Sequence, residues 1–496
     1  MLHAAALLDS EQSLSADRAA INQGNSSEQL MENAGRAVAD MISETYSPGP
    51  VLVVSGTGHN GGDGFIVARL LKERGWEVTL SVLGDKNYIE GASTNALRRW
   101  EESHGHAMLF DGSLTVSQTL IVDALFGTGL NRNLDGVSKD AVEAINDSGL
   151  PVVSIDIPSG INGSTGEVMG AAVRATHTVT FVRPKLGHVL LPGKSYTGAL
   201  HVFDIGISGN NVKPDYFLNS PLLWRDSFVL PTPESNKYSR GHTLVVGADL
   251  GHTGASKLAA LGALRAGSGL VSVACTPKAL PVYAASLTAV MTKNAADLKQ
   301  LDALVKDEKT TAILAGPGAG TGETTRQQVL QILSHEKPTV LDADALSAFK
   351  TTPKTLFGAI SGDVVLTPHQ GEFDRLFGHK ENEELFRFDG LKHERARHAA
   401  KYSGAVVVYK GNDTVIASPD GRIAINAEAP VWLATAGSGD VLAGVIAGLM
   451  AQGMPAFEAA CAGVWIHSRA AASFGPGLIA EDIPSALPAV YSELFG

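Results

Sequence analysis

The tetrapeptide Gly437-Ser438-Gly439-Asp440 joins two glycines, a hydroxyl and a carboxylate, directly before an apolar run of helical length, 441–450. Its backbone amides would therefore lie at a helix N-terminus, where free N–H groups and the macrodipole favour an anion such as phosphate. A carboxylate at an anion site repels the ligand. Asp440 is therefore predicted to act on a proton, as a general base during phosphoryl transfer. An ordinary helix cap is the alternative, because Gly and Asp are common capping residues.

Three more strand-like segments in this half of the chain end in polar or Gly-rich loops. The run 405–409 ends in Lys410-Gly411-Asn412-Asp413-Thr414, whose lysine and threonine could hold a nucleotide phosphate. The runs 364–366 and 311–315 lead into the loops that contain His369 and Gly318. Ligands of open α/β sheets bind at the carboxyl ends of strands, so these loops predict one shared site.

The N-terminal half shows the same arrangement of strand, loop and helix. Residues 50–55 have the pattern of a buried strand, and they lead into the loop 56–64 before the apolar helix 65–71. The spacing Gly56-x-Gly58-x-x-Gly61 fits a dinucleotide-binding loop, although this signal alone is weak. Two later strands end in carboxylates, Asp123 and Asp156, and such acids point into a ligand crevice. Acids that only cap the following loops are the alternative.

Strands and helices alternate through both halves, which predicts α/β folds with parallel sheets covered on both faces. Apolar residues at helical spacing predict one helix from Ala16 to Ser43. Periodicity is lost over 208–224, where Asn and Pro are frequent, and this segment is predicted to be a linker. The 496 residues thus suit two domains, 1–214 and 221–496.

Composition excludes several classes of protein. Apolar content of 44% with 18% charged residues is typical of a globular protein, and the formal net charge of -12 argues against nucleic-acid and anionic-membrane partners. Cys275 and Cys461 lie outside any Cys-x-x-Cys pattern, so buried thiols are expected. Acidic residues interrupt the N-terminal apolar stretch, and no run is long enough to span a bilayer. We therefore expect a cytoplasmic protein.

The C-terminal motifs resemble the ribokinase-like family of nucleotide-dependent NAD(P)H-hydrate dehydratases. Besides Gly437 to Asp440 and Lys410-Gly411-x-x-Thr414, they include Pro368-His369-x-Gly371-Glu372, Gly316-Pro317-Gly318 and the segment 341–346, in the family's order. The resemblance implies substrate contacts from Ala255, Gly318, His369 and Asp440, with ADP as co-substrate and Mg²⁺ bound to it. It implies that the nucleotide is held by Lys410, Gly411, Asn412, Asp413, Thr414, Gly437, Ser438 and Gly439.

Residues 15–210 resemble the NAD(P)H-hydrate epimerase domain, which has a Rossmann-like fold. The resemblance is carried by Asn60-Gly61-Gly62-Asp63-Gly64, the strand-end acids, 181–187 and Gly193-Lys194-x-x-x-Gly198. It implies that Asn60, Asp123 and Ser159 surround K⁺, since their oxygens suit a hard cation. It also implies that Asp156 takes part in proton transfer and that substrate is bound by His59, Asn60, Gly61, Gly62, Asp63, Gly127, Thr128, Gly129, Leu130, Asn131, Arg132, Asn133 and Asp156.

Some positions depart from the family patterns. His59 replaces a common Asn, Asn236 lies in an altered entry segment, and Gln370 replaces a common Pro. The expected activity is repair of hydrated NADH and NADPH: epimerisation of the R and S hydrates, and ADP-dependent dehydration of the S hydrate. A homo-oligomer is expected. Two alternatives stay open, a nicotinamide-dependent dehydrogenase fused to a small-molecule kinase, and an N-terminal domain that only binds partners.

Overall fold

The computed structural model of the chain describes residues 5–110, 112, 118–207, 214–378 and 390–496. The chain separates into two compact units, one of Ala6–Tyr216 and one that contains Phe217–Gly496. Each unit is built around a sheet whose central strands are parallel. The predicted α/β class is therefore confirmed.

The first unit alternates strands and helices. Its strands are β1 Ala6–Leu7, β2 Pro50–Ser55, β3 Glu77–Val82, β4 Ala107–Leu109, β5 Leu120–Ala124, β6 Val152–Ile155, β7 His177–Phe181 and β8 Ala199–Phe203. Its helices are α1 Ser10–Asn22, α2 Ser27–Thr45, α3 His59–Glu73, α4 Ala92–Glu102, α5 Gly136–Asp147, α6 Leu186–Val189 and α7 Lys194–Thr197. Seven strands pair in parallel in the order β4-β3-β2-β5-β6-β7-β8.

The predicted helix 16–43 is two helices, α1 and α2. Gly24 has a φ of 104°, a left-handed conformation that favours glycine and interrupts the helix. The Ser26 hydroxyl then accepts a hydrogen bond from the amide of Gln29 at 3.1 Å and caps α2. The apolar stripe of α2 is buried as its spacing predicts.

The strand order of the first unit reverses between β2 and β5. Strands β3 and β4 lie on one side of β2, whereas β5 and β6 lie on the other. The connections after β2 and β5 therefore diverge and leave a crevice at the carboxyl edge of the sheet. The predicted site residues 59–63 follow β2, 127–133 follow β5, and Asp156 follows β6.

The second unit contains a larger mixed sheet. Its strands are β9 Tyr216–Leu218, β10 His242–Val246, β11 Leu270–Cys275, β12 Met291–Asn294, β13 Ala312–Ala315, β14 Thr339–Leu341, β15 Val364–Leu366, β16 Val406–Tyr409, β17 Thr414–Ala417 and β18 Ile423–Asn426. They run in the order β9-β18-β17-β16-β15-β14-β13-β10-β11-β12. Strands β10 to β16 pair in parallel, and β16, β17 and β18 pair antiparallel.

The helices of the second unit are α8 Pro221–Trp224, α9 Thr253–Arg265, α10 Leu280–Ser286, α11 Leu298–Lys306, α12 Glu323–Leu333, α13 Asp344–Ser347, α14 Pro353–Ala359, α15 Gln370–Phe377, α16 Lys392–Ser403, α17 Ser438–Ala451, α18 Ala456–Phe474 and α19 Asp482–Phe495. Among the described helices, none is both long and apolar enough to cross a membrane.

Helix α17 lies in the core, packed against α9 and α18. Its residues 441–451 are all buried. The backbones of α9 and α17 approach closely, because a Cβ at Gly444 would lie 2.0 Å from the carbonyl oxygen of Ala259. The glycines of this apolar run therefore allow helix contact, and the contact fixes where the N-terminus of α17 points. Cys275 and Cys461 are buried free thiols, as predicted.

The second half of the predicted linker forms a strand and a helix. Residues 208–213 lie outside the described residues, but β9 and α8 form within 216–224. The Asn219 side chain is buried and donates hydrogen bonds to Asn426 Oδ1 at 3.1 Å and to the Cys461 carbonyl at 2.9 Å. This stretch was missed because β9 has three residues and α8 has four, which is too short for periodicity to show.

We predict that a fragment of residues 214–496 is more stable than one of 221–496. The shorter fragment lacks β9 and Asn219, and buried groups left without a hydrogen-bond partner cost about 1–3 kcal/mol each. In urea denaturation, the free energy of unfolding of the shorter fragment should be lower than that of the longer one by several kcal/mol. Asn219→Ala in the longer fragment isolates the hydrogen-bond share of that loss. Equal stability of the two fragments would show that β9 and Asn219 contribute nothing.

Candidate active sites

The first site begins where β2 leads into α3. The loop predicted at 56–64 is shorter in the structure. Helix α3 starts at His59, so residues 59–64 form the first turns of this helix. A Cβ at Gly61 would lie 1.9 Å from the carbonyl oxygen of Gly56, so only glycine fits this turn. Asn60 is buried beside it, and within the described part of the chain neither Oδ1 nor Nδ2 has a hydrogen-bond partner. An orphaned buried amide is costly and indicates a ligand.

Asp123 is fully buried at the end of β5, where four groups donate hydrogen bonds to its carboxylate, one of them the Leu125 amide at 3.2 Å to Oδ1. Ser154 Oγ donates to Oδ2 at 2.7 Å, and Ser159 donates from its amide to Oδ2 at 2.9 Å and from Oγ to Oδ1 at 2.6 Å. Burial raises the pKa of Asp123, and these hydrogen bonds oppose the rise. Burial thus disfavours the ionised form of this carboxylate, and a nearby cation would stabilise it.

Asp156 follows β6 in a left-handed conformation with φ of 66°, which is strained for a residue other than glycine. Its Oδ2 accepts hydrogen bonds from the Thr128 amide at 2.8 Å and the Thr128 hydroxyl at 2.5 Å. Its Oδ1 lies 2.7 Å from Nζ of Lys185. Burial would raise the pKa of Asp156, but Lys185 and the Thr128 hydrogen bonds hold it well below its usual range.

Lys185 and His188 belong to this site, although the sequence did not assign them a role. Lys185 is buried and also donates to Thr180 Oγ1 at 2.8 Å. His188 Nδ1 accepts from the Lys185 amide at 2.9 Å, and Nε2 then donates to the Asp156 carbonyl oxygen at 2.9 Å. Burial lowers the pKa of His188 to about 3, so the imidazole is neutral. Both residues lie in or beside the segment 181–187 that carries the family resemblance, which was the available signal.

The loop 127–133 completes the edge of the first site. Thr128 is buried, whereas Gly129 and residues 131–133 are exposed and Leu130 is half-buried. A Cβ at Gly127 would lie 2.9 Å from Asp156 Oδ2 and 3.3 Å from Asn60 Oδ1. The absence of a side chain at Gly127 therefore lets Asn60 and Asp156 approach the main chain of this loop closely.

Two other acids, Asp63 and Asp17, lie near Asp156. Burial raises the pKa of Asp63 well above its usual range, and the charges of Asp156 and Asp17 raise it further. Burial also raises the pKa of Asp17, although the Lys185 charge opposes the rise. Asp17 lies on α1 and was not predicted to be a site residue. The first site thus holds several acids beside one buried lysine.

The second site begins at the N-terminus of α17. Gly437 is its N-cap with φ of 86°, and Ser438 starts the helix, so the predicted helix N-terminus is confirmed. The Ser438 hydroxyl donates to the Leu433 and Thr435 carbonyl oxygens at 2.9 and 3.0 Å, so it does not point freely at a ligand. Asp440 lies in the first turn of this helix.

Lys410, in the loop after β16, lies near two acids that follow the neighbouring strands β14 and β15. Its Nζ lies 2.9 Å from Asp342 Oδ1 and 3.9 Å from Glu372 Oε2. The Thr367 hydroxyl also donates to Asp342 Oδ1 at 2.7 Å. A Cβ at Gly439 would lie 3.4 Å from Lys410 Nζ, which brings two predicted nucleotide-binding segments together. Asp342 and Glu372 were part of the family motifs but had no assigned role.

The environment of Asp440 raises the pKa of its carboxyl to about 7. Burial is the largest cause, followed by the charge of Asp342, with smaller contributions from Asp344 and Glu372. Lys410 opposes the rise, but it is paired with Asp342. A carboxylate with a pKa near neutrality is well suited to general-base catalysis.

The remaining predicted nucleotide loop is only partly open to ligands. Thr414 Oγ1 donates to the Gly411 carbonyl oxygen at 2.8 Å and closes the loop. Asp413 is buried and pairs with Lys392 at 2.7 Å. Gly411 and Asn412 are exposed, so they and Lys410 remain the groups available to a nucleotide.

The three other predicted substrate contacts lie at the ends of neighbouring strands. Gly318 follows β13 with φ of 71°, and a Cβ there would lie 2.8 Å from the His252 carbonyl oxygen in the loop after β10. Ala255 is half-buried in the first turn of α9. His369 is exposed and accepts from the Gly371 amide at 3.0 Å, which caps α15. These roles remain predictions.

The two units define an α/β enzyme with an acid–lysine site at the carboxyl edge of each sheet. Residues 243–481 match the family model described as NAD(P)H-hydrate dehydratase, and residues 27–187 match the YjeF-related protein N-terminus. The bifunctional NAD(P)H-hydrate repair enzyme of Moorella thermoacetica is 38% identical over 471 residues, which cover 89% of this chain and 87% of that protein. The chain belongs to the family of bifunctional NAD(P)H-hydrate repair enzymes.

A further relative has the same name, and one solved structure shows a partial likeness. The bifunctional NAD(P)H-hydrate repair enzyme of Coxiella burnetii is 35% identical over 477 residues, which cover 94% of this chain and 95% of that protein. A crystal structure of the ADP/ATP-dependent NAD(P)H-hydrate dehydratase from Bacillus subtilis, co-crystallised with ATP and Mg²⁺, is 29% identical with a TM-score of 0.48. The match between the two covers 56% of this chain and 98% of the Bacillus subtilis chain.

The raised pKa of Asp440 predicts that Asp440→Asn stabilises the protein as the pH rises. A carboxyl whose pKa is raised on folding destabilises the native state above its unfolded pKa, and this cost grows until the folded pKa is passed. The gain in melting temperature should therefore be small at pH 4, increase to about pH 7 and stay constant above it. Calorimetry across this range measures it. A gain that does not change with pH would contradict the raised pKa.

Proposed function

We propose that the second unit dehydrates the S hydrates of NADH and NADPH at the expense of ADP, and that the first unit interconverts the R and S hydrates. The family supports the substrate class. One observation carries the dehydratase chemistry: Asp440, with a pKa of about 7, lies in the first turn of α17, beside Lys410. A poised base at an anion-binding helix end suits the activation of a hydroxyl toward phosphate.

The dehydration then proceeds in two chemical stages. Asp440 takes the proton of the C6 hydroxyl as this oxygen attacks the terminal phosphoryl group of ADP, which releases AMP. Phosphate leaves C6 as the ring nitrogen donates its electron pair, and loss of a C5 proton restores the double bond. The amides of Gly437 to Gly439 stabilise the charge on the transferring group, because they are fixed before the reaction begins.

Lys410, Gly411 and Asn412 are the groups we propose for nucleotide binding. Asp413 and Thr414 support the loop, as their buried contacts indicate. In the part of the chain that the structure describes, no group of three or more acidic, His or Cys side chains forms a metal site, so the magnesium ion that we propose is held mainly by phosphate oxygens of the nucleotide. When bound, Mg²⁺ neutralises charge on the phosphates. ADP as the physiological nucleotide is part of the proposal.

Asp440→Asn should abolish most dehydration while the protein stays folded. General-base catalysis contributes about 10²- to 10⁴-fold, so the rate should fall by at least that order. Asn caps a helix about as well as Asp, so a capping role alone predicts an unchanged rate. Single-turnover release of reduced nicotinamide measures the rate, and calorimetric titration with ADP checks that nucleotide still binds. A wild-type rate would end the assignment of Asp440 as the base.

For the first unit, we propose that Asp156 transfers a proton during epimerisation, supported by its position next to Thr128 and Gly127. We propose K⁺ near Asn60, Asp123 and Ser159. The orphaned Asn60 amide and the buried charge of Asp123 fit a hard monovalent cation. Among the described residues, no group of three or more His, Cys, Asp or Glu side chains is arranged as a metal site. When bound, K⁺ balances the carboxylate charge.

Asp156→Asn should abolish epimerisation and spare dehydration, because the amide keeps the shape of the side chain but cannot exchange a proton. Asp123→Ala should act through the ion, so part of its loss should recover at high K⁺ concentration. Chromatographic separation of the R and S hydrates, incubated without nucleotide, measures epimerisation. Wild-type epimerisation by Asp156→Asn would assign the proton transfer to another residue.

The alternative of a dehydrogenase fused to a kinase makes different products. It requires hydride transfer to an oxidised nicotinamide and a phosphorylated product that persists. The proposed reaction instead releases free phosphate, AMP and reduced nicotinamide. The Asp440–Lys410 geometry favours neither phosphoryl acceptor, so the family match decides between them.

A further inference from the structure

Lys185 and His188 hold both ends of Asp156 in place. The Lys185 ammonium lies 2.7 Å from Asp156 Oδ1, and its side chain is only 3% exposed. The His188 ring donates to the Asp156 main-chain carbonyl at 2.9 Å. Two residues of one short turn thus contact the carboxylate and the backbone of the same strand-end acid.

The backbone at Asp156 needs such support. Its φ of 66° is strained for a residue other than glycine and persists only where the surroundings enforce it. His188 is oriented for this contact, because its Nδ1 accepts from the Lys185 amide and so leaves the proton on Nε2. A strained conformation that neighbouring residues maintain is typical of functional sites.

A contribution to stability does not by itself explain the buried ion pair of Lys185 and Asp156. A buried ion pair contributes little net stability compared with apolar residues of similar size, because both charges lose hydration. The lysine is fixed further by donating to Thr180 Oγ1 at 2.8 Å and to the Phe181 carbonyl oxygen at 3.3 Å. Burial raises the pKa of both Asp17 and Asp63, whereas Asp156, which Lys185 contacts directly, has a lowered pKa.

We propose that Lys185 and His188 are positioning residues for epimerisation, which hold the Asp156 carboxylate in place beside Gly127. The inference rests on the proposed role of Asp156 in the first unit. It adds two residues to the machinery of this reaction. Lys185 fixes the carboxylate, and His188 fixes the main chain that carries it.

Lys185→Met in the full-length chain tests the first contact. We expect the kcat of epimerisation to fall by at least about 10²-fold, the lower range for proton-transfer catalysis, with KM little changed. Lys185→Arg should restore part of the rate, because it keeps the charge. Lys139→Met removes an exposed lysine that pairs with Glu143 on α5, and it should have no effect. The melting transition of the first unit, compared with that of the unaltered chain, reports that this unit is folded, and dehydration of the S hydrate on the same samples reports the same for the second unit.

His188→Gln and His188→Leu test the second contact. The Gln amide can place an N–H near the position of Nε2 and donate to the Asp156 carbonyl, whereas Leu cannot. We expect Gln to keep most of the kcat and Leu to lose it. If Lys185→Met does not fold, Thr180→Val takes its place and should lower kcat, because it removes one acceptor of Lys185 and a 3.4 Å hydrogen bond to Asp156 Oδ1 and leaves both charges.

The outcomes separate this inference from the proposed function. Wild-type kcat for Lys185→Met, or equal kcat for His188→Gln and His188→Leu, would overturn the positioning roles. A loss of activity that appears as a lower folded fraction, with normal kcat per folded molecule, would show a structural role only. Asp156→Asn is the reference: if it stays active, the role of Asp156 itself fails, whatever Lys185 does.

Discussion

Each of the two sites places a lysine among carboxylates, and the partner that this lysine takes decides which carboxylate stays ionised. Lys185 pairs directly with Asp156, whose pKa is held well below its usual range. Lys410 pairs with Asp342 instead, and the pKa of Asp440 rises to about 7. Two similar sets of residues thus give opposite titration behaviour. The cause is geometric, because a cation lowers the pKa most for the carboxylate that it contacts.

This difference fits the two reactions. A base with a pKa near neutrality can take a proton efficiently at physiological pH, which suits Asp440 and the activation of a hydroxyl. The lowered pKa of Asp156 keeps this carboxylate ionised, which is the form that can accept a proton. Fusing the two activities is useful, because hydration produces both epimers and the dehydratase is proposed to accept one.

The sheets supply the rigid framework for both sites. The strand order reverses between β2 and β5 in the first unit and between β10 and β13 in the second, so loops diverge and leave a crevice at the carboxyl edge of each sheet. In the second unit the close contact of α17 with α9, through Gly444, sets the direction in which the α17 N-terminus points. Substitution of this glycine would therefore disturb a site that it does not touch.

The sequence by itself determined the α/β class, most strand positions, the acids at strand ends and the Gly-rich start of α17. These features are local, since they depend on hydrophobic periodicity and on residues next to each other in the chain. Periodicity failed where elements are short or end at a special residue, as at Gly24 and in β9. It also placed the start of α3 after the loop 56–64, whereas the helix begins at His59.

Only the tertiary structure decided which charges meet. Lys410 and Asp342 are 68 residues apart and come together because β14, β15 and β16 are neighbours in the sheet. Lys185 reaches Asp156 because β6 and β7 pair in parallel and the chain turns back after β7. Strand order and register, which single-sequence patterns do not encode, thus select the contact partner of each lysine. Through that partner they set the protonation state of each catalytic candidate.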